Sequence, residues 1–290
     1  MPLKSEADDL REWLHRGHNG AMKWMAQNVD VRSDPARLLP GCRSIISIAV
    51  NYFTPQLHLA FPNFPRISRY AWGRDYHKVV GGILKKIATA IAEMCGEEGI
   101  EDYEYRIAVD SLPFRDKVWA QRAGIGWMGK HSILITREYG SWVFIGSILT
   151  NLDFGDEYDS PHPAHCGKCE ACIDACPTGA ILREGGLNAR ACISYLTIEH
   201  PGEIPSRYRD GLGGWIFGCD TCQDVCPWNR YAKPTRHRDF NPRDGLLVPD
   251  LQNISHMDTD EFDRLTQGTP LQRIGSERFR RNALAAMGLL

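Results

Sequence analysis

Apolar positions along the chain keep two rhythms and then lose rhythm altogether. Between residues 78 and 95, Val80, Ile83, Leu84, Ile87, Ile91 and Met94 fall at helical spacing, with Lys85, Lys86 and Glu93 off that stripe and Gly96 and Gly99 as terminators. The pattern predicts an amphipathic helix packed on a sheet. A second helix is predicted at the N-terminus: Leu10, Trp13 and Leu14 share a face, Ser5 is the expected N-cap with Asp8 three residues on, and Gly17 and Gly20 end it. Ser44 to Val50 is apolar and β-branched and reads as a buried strand. Arg106 to Val109, Ile133 to Ile135 and Ser141 to Leu149 read as further strands, and residues 116–123 as a helix. Residues 1–155 therefore read as one layered α+β unit. From Pro161 to about Arg230 the periodicity gives way to Cys, Pro and Gly, so residues 156–230 are expected to be organised by metal ligation rather than by a large core. Residues 231–290 form a tail of loops rich in Pro, Arg and Asp, closing in an amphipathic stretch, SERFRRNALAAMGLL. The two cysteine motifs described below are the one internal repeat.

Composition narrows the classes. Of 290 residues, 43% are hydrophobic and 24% charged, an ordinary globular balance that excludes disorder as the main state. Lys plus Arg total 34 against 36 for Asp plus Glu, a net charge of -2, which argues against holding nucleic acid by bulk positive charge and leaves room for a local basic face. No apolar run approaches the roughly 18 residues that cross a bilayer. The start, MPLKSEADDLREW, is acidic where a secretory leader is basic and then apolar, so a soluble, cytoplasmic protein with no membrane association is expected.

The cysteines break this average picture. There are ten, and eight of them lie between Cys166 and Cys226. A disulfide framework is the weaker explanation, because the chain is long enough to bury a core and shows no leader. Cys42 and Cys95 read as isolated small hydrophobes. Cys166, Cys169, Cys172 and Cys176-Pro177 spell C-x2-C-x2-C-x3-C-P, the run that ligates iron-sulfur clusters in bacterial ferredoxins. Three close thiolates wrap one cluster, and the fourth turns toward a second. Cys219, Cys222 and Cys226-Pro227 repeat the ending, and Cys192 supplies the missing member. The ferredoxin exchange assigns Cys166, Cys169, Cys172 and Cys226 to one 4Fe-4S cluster and Cys176, Cys192, Cys219 and Cys222 to the other. A pair of zinc sites is the competing reading, since C-x2-C is also a zinc spacing.

Other segments carry weaker chemistry. GIGWMGKH, residues 124–131, fits G-x4-G-K, but His131 stands where a phosphate loop needs Ser or Thr, and the order helix, loop, strand is the reverse of a phosphate-binding turn. A glycine loop that admits a bulky flat cofactor is the better use. Asp110 ends a strand in VDSLPFRDK and is either a helix cap or a general acid facing a pocket. YAWGRDYHKV, residues 70–79, packs Tyr70, Trp72, Tyr76 and His77 around Gly73; such clusters are usually core, and Trp127, Trp142, Trp215 and Trp228 carry the same reading.

Taken together, GHNGAMKWM (17–25), RYAWGRDYH (69–77), VDSLPFRDK with QRAGIGWMGKHS (109–132), CGKCEACIDACPTGAI (166–181), CISYLTIEH (192–200) and FGCDTCQDVCPWN (217–229) resemble the epoxyqueuosine reductases. The resemblance implies a cobalamin-binding catalytic domain over 1–155 and a ferredoxin-like domain with two 4Fe-4S clusters over 156–230. The activity it implies is reductive deoxygenation of epoxyqueuosine to queuosine at the tRNA wobble position. It makes Asp110 the proton donor over the corrinoid face. It places Lys130, His131 and Ser132 along the corrin, with Tyr76, His77 and Ser194 as further contacts, although the family more often has Asn where this chain has His131. Relatives often continue into a helical-repeat extension after the equivalent of RNALAAMG. The implied partners are a tRNA anticodon loop and an external electron donor, with the enzyme a monomer. The near-neutral charge then requires a local basic face, for which Arg230, Lys233, Arg236 and Arg238, and Arg273, Arg278, Arg280 and Arg281, are the candidates. Two rival classes share part of this pattern: a reductive dehalogenase-like corrinoid enzyme acting on a small molecule, and an electron-transfer iron-sulfur protein.

Overall fold

A computed structural model describes residues 3–56, 65–155 and 161–290. The architecture is α+β. Strand β1 (Ser44–Asn51), β2 (Arg66–Ile67), β3 (Tyr105–Ala108), β4 (Trp127–Met128), β5 (Leu134–Ile135), β6 (Val143–Thr150) and β7 (Trp215–Phe217) form three small sheets. The largest has the order β1-β6-β3 and is antiparallel throughout, running in register from Ser44 opposite Thr150 to Asn51 opposite Val143.

The two faces of β6 show why the sheet forms. Phe144 and Ile148 point to one side, where Val80, Leu84 and Ala88 of the helix Tyr76–Glu97 are fully buried against them. Each such Val, Leu, Ile or Phe side chain contributes about 1.5–3 kcal/mol by leaving water. Gly146 lies under this helix; a Cβ there would stand 2.6 Å from a Val80 methyl carbon, so the close seat requires glycine. Leu149 points to the other side, among Leu3, Leu38, Leu39, Phe114 and Trp119. The expected helix is longer at both ends than its apolar stripe, and Asp75 caps it by accepting from the His77 amide at 3.0 Å. Met94 departs from the stripe and is 64% exposed, while neighbouring Cys95 is buried in its place.

The N-terminal helix spans Lys4–His15 and turns away at Gly17, as the pattern predicts. Its cap differs. Leu3, not Ser5, holds the N-cap position, and Ser5 lies inside the helix with its hydroxyl donating to Glu6 at 2.9 Å. Leu3 is drawn into the core beside Leu38 and Leu39, so burial of an apolar anchor sets the helix start where a polar cap was expected.

In the cysteine-rich stretch the elements are short: helices Ala171–Ala175, Ile193–Ile198 and Thr221–Asp224, and β7, which pairs in parallel with β2. The core around this pair gathers Ile67 and Trp72, Ile216 and Phe217, and Phe279 and Ala283 of the helix Gly275–Ala286. Asn282 on that helix is buried and donates to the carbonyls of Thr197 and Ile216, each at 2.8 Å. Among the described residues, no helix is long and apolar enough to cross a membrane.

Candidate functional site

All ten cysteines are free thiols. The fold sorts eight of them by space rather than by sequence. Cys226 is buried with Trp127 and Ile135, and Cys166 and Trp228 pack on the same cluster. Burial pushes the Cys172 thiol up, and Cys226, Cys166 and Cys169 add to the shift, so these four stand together although Cys226 lies far along the chain. Cys222 is pushed well up by burial, then by Cys219 and Cys192; Cys219 is pushed up to about 12; and Cys192 is raised by burial, with Cys176 nearby. The boundary between the groups runs past Ile173 and Ile181, where Cys172, Cys176 and Cys222 meet. Buried thiols raised in this way favour the neutral form until a metal takes the thiolate. Among the described residues no three of His, Cys, Asp and Glu stand close enough to share one metal ion. A cubane asks for something else, since each of its ligands holds a different iron.

An ion pair bolts this region to the rest. Asp220, between Cys219 and Cys222, is fully buried and accepts from the Arg69 amide at 2.9 Å, the Arg69 guanidinium at 3.2 Å and the Ser68 hydroxyl at 2.5 Å. Arg69 also reaches Asp224 at 2.7 Å and lies 4.9 Å over the Trp142 ring. The sequence carried a sign of this: a charged Arg69 inside a buried aromatic run needs an acid, but only the fold says which.

The second constellation centres on Asp110. It follows β3 in the left-handed region, φ +55°, and its side chain is 61% exposed. The Tyr76 hydroxyl donates to Asp110 Oδ2 at 2.5 Å, and His77 Nε2 stands 3.9 Å from the same oxygen. Both partners come from the first turn of the helix Tyr76–Glu97, where Asp75 holds His77 Nδ1 at 2.7 Å and raises the histidine's proton affinity. Tyr76 is fixed in turn by stacking on Phe144 at 4.5 Å. The capping role is not what Asp110 does: the next helix starts at Asp116 with Arg115 at its N-cap.

The glycine loop lies beside this turn. β4 and β5 pair as a tight hairpin, and a Cβ on Gly129 would stand 2.7 Å from the His131 ring and from Ile135. His131 is buried; Nδ1 accepts from the Ile133 amide at 3.2 Å, and Nε2 is buried without a hydrogen-bond partner. Burial, then the Lys117 charge, pushes His131 down to about 4, so it is neutral at physiological pH. Ser132 is left-handed at φ +62°. Among the described residues, three that are not glycine take positive φ, and two of them, Asp110 and Ser132, are candidate site residues, which fits strain held at a working site. Lys117 Nζ donates to the Ser132 carbonyl at 2.7 Å and so ties the helix Asp116–Arg122, which follows the Asp110 turn, to the glycine loop. Lys130 is half-buried next to His131, and half-buried Ser194 lies apart, beside Cys192 in the helix Ile193–Ile198. Trp127, Trp142 and Trp215 are core, as expected. The motif reading passed over Asp116 and Lys117, whose importance lies in what they face.

Comparison with known proteins decides the family. Residues 32–111 match the family model described as "Epoxyqueuosine reductase QueG, DUF1730", and residues 165–229 match a 4Fe-4S double cluster binding domain. An epoxyqueuosine reductase from Synechocystis is 43% identical over 96% of this chain and 94% of its own length. The chain belongs to the epoxyqueuosine reductase family. It is therefore an oxidoreductase with a double 4Fe-4S domain. The Vibrio cholerae epoxyqueuosine reductase is 45% identical over 99% of this chain and 77% of its own length. Two solved epoxyqueuosine reductases have the same fold. One, in complex with an epoxyqueuosine-modified tRNA-Tyr stem loop, superposes with a TM-score of 0.86 at 31% identity, covering 99% of this chain and 75% of the other. The other, from Bacillus subtilis, has its catalytic aspartate loop swung out of the active site and superposes with a TM-score of 0.85 at 30% identity, covering 99% and 75%.

Proposed function

We propose that this epoxyqueuosine reductase deoxygenates epoxyqueuosine to queuosine at the tRNA wobble position, with Asp110 as proton donor and cobalamin beside two 4Fe-4S clusters. The observation that carries the reading is the 2.7 Å bond from Lys117 to Ser132, because it ties the helix that follows the acid turn to the glycine loop.

The donor sets suit the groups. Cys166, Cys169, Cys172 and Cys226 would hold one cluster, and Cys176, Cys192, Cys219 and Cys222 the other. Lys130, His131 and Ser132 would lie along the corrin, with Tyr76, His77 and Ser194 as further contacts. The unpartnered Nε2–H of neutral His131 is a buried donor that a corrin amide would satisfy, which supports a cofactor at this loop. Cobalamin reduced through the clusters would supply the electrons. The protein's part is the acid. Asp110 gives a proton as the C–O bonds break and water leaves, for an overall change of two electrons and two protons. Tyr76 and His77 hold its carboxyl in place. An external electron donor completes the cycle, and the protein acts as a soluble cytoplasmic monomer.

The base must leave its stack to reach Asp110, so the partner surface should combine stacking and phosphate contacts. Arg230, Arg236 and Arg238 are exposed and, among the described residues, carry no carboxylate partner, and Tyr231 between them is 84% exposed. Lys233 pairs with Glu138 at 3.1 Å. This strap runs on to Asp239, whose carbonyl accepts from the Arg74 amide at 2.7 Å next to the segment that delivers Tyr76. At the C-terminal end the picture changes. Arg273 pairs with Glu199 at 2.6 Å, Arg278 donates to the Ile198 carbonyl, and Arg281 donates to those of Leu196 and His200 at 2.7 and 2.8 Å. Arg278 and Arg281 serve the fold, Arg273 lines the cavity beside Tyr76 and His77, and the strap around Tyr231 is the better tRNA face.

The test is direct: load the protein with cobalamin, add a low-potential reductant, and assay epoxyqueuosine-containing tRNA by mass spectrometry. Queuosine should form, and unchanged tRNA with fully loaded protein would overturn the reading.

A further inference from the structure

Trp127 belongs to the glycine loop and to the cysteine region at once. It opens β4, its ring is fully buried, and it shares one small core with Ile135 and Cys226, on which Cys166 and Trp228 pack. Two rings meet it edge to face, each at 4.7 Å: His165, the residue before Cys166, and Trp228, two residues after Cys226. The indole is therefore clasped between the two distant segments that bring Cys166 and Cys226 together.

Two polar atoms in this clasp are left over. Trp127 Nε1 and His165 Nε2 are both buried without a hydrogen-bond partner. An indole nitrogen can only donate, so no change of tautomer relieves Trp127. Native folds seldom leave a buried N–H unpaired, and one that stays so marks a place where something else is received. The side chains of Ile135 and Trp228 offer no oxygen or sulfur, which leaves the sulfurs of Cys166 and Cys226 and the inorganic sulfide they would hold. Sulfur already accepts from nitrogen in the other ligand set, where the Ala180 amide donates to Cys176 Sγ at 3.3 Å.

We propose that the Trp127 indole N–H, with His165 Nε2–H as a second donor, hydrogen-bonds the sulfurs of the 4Fe-4S cluster held by Cys166, Cys169, Cys172 and Cys226 and holds that cluster's potential up. The inference rests on that ligand set. Reduction adds one electron from the external donor and no proton, so the cluster becomes one charge more negative while no bond forms or breaks. An N–H aimed at sulfur in this dry core is worth more against the larger charge, and the reduced form gains. His165 joins with its ring proton on Nε2, the tautomer that a neighbouring anionic sulfur favours. Trp127 stands three residues before Lys130, so the hairpin read as facing the corrin also sets how readily this cluster takes an electron.

The test uses the full chain, reconstituted anaerobically with iron and sulfide, in potentiometric titrations followed by electron paramagnetic resonance. Trp127→Phe keeps a buried ring and removes the N–H. At a fixed potential its ratio of reduced to oxidised cluster should fall about tenfold, a move of about 59 mV to lower potential. His165→Phe should move it the same way, and no shift there strikes the second donor. Trp127→Phe placed in the Cys166→Ser/Cys226→Ser background, which keeps the other cluster alone, should move nothing. A purely structural role has the opposite sign, because water let in by loosened packing favours the more charged reduced form and raises the potential. An unchanged or raised potential in Trp127→Phe with both clusters loaded overturns the proposal and leaves the N–H spent on a neighbouring ring. If that variant loses a cluster, isotopic labelling of the indole nitrogens in the wild type decides: one of them should show hyperfine coupling to the reduced cluster, and absence of coupling overturns the proposal. Loss of nearly all iron from Cys166→Ser/Cys226→Ser would instead remove the ligand set on which the inference rests, so the two failures are told apart.

Discussion

The sheet unit and the cysteine region are held by different means. Around β6, long elements with regular apolar spacing bury Phe144, Ile148 and Leu149 between a 22-residue helix and the N-terminal segments, and burial alone accounts for the order. Between Cys166 and Cys226 the helices are four to six residues long, too short to be stable by themselves, and buried thiols from distant positions face one another. One region needs only its own side chains. The other is shaped for ligands that lend it their binding energy.

Removing the metal should break the comparison most visibly. Chelation of the oxidised protein should abolish exchange protection in residues 166–226 and leave β1, β3 and β6 protected, as mass-resolved hydrogen exchange would report; equal loss in both regions would mean that the sheet unit also depends on metal. The next effect is catalytic. Asp110→Asn should keep iron, sulfide and bound corrinoid and lower the single-turnover rate by about 10²–10⁴-fold.

The joint between the regions is the next target. Arg69→Met removes the guanidinium that faces the buried Asp220 carboxylate, and should cost about 3–5 kcal/mol in chemical denaturation. Leu84→Ala, confined to the sheet unit, should cost about 2–5 kcal/mol while leaving cluster content unchanged. Tyr76→Phe is the mildest: it removes one hydrogen bond to Asp110 and should cost about 1.5–3 kcal/mol of transition-state stabilisation, with folding midpoints nearly unmoved.

The same division explains what could be read from the sequence. The helix over 78–95 was legible because Val80, Ile83, Leu84 and Ile87 obey a local period. The double 4Fe-4S domain was legible because ferredoxin spacing is a short and specific motif. Where a partner lies far away and no motif encodes it, the sequence is silent. Arg69 and Asp220 are 151 residues apart. Arg281 could be assigned to a nucleic-acid face because nothing local shows that it serves the carbonyls of Leu196 and His200. Ser5 was a plausible cap until Leu3 found a core made by Leu38 and Leu39. Asp116 carried no motif, and only the fold shows that its Oδ1 is buried without a hydrogen-bond partner.

The central claim is that the two motifs exchange their last cysteines, so that Cys226 joins Cys166, Cys169 and Cys172, and Cys176 joins Cys192, Cys219 and Cys222. Iron analysis of the anaerobically reconstituted double variant Cys166→Ser/Cys226→Ser tests it most directly. With both substitutions in one ligand set, the second cluster should survive, leaving about four irons of about eight. If each motif bound its own cluster, the two substitutions would strike both, and loss of nearly all iron would contradict the account.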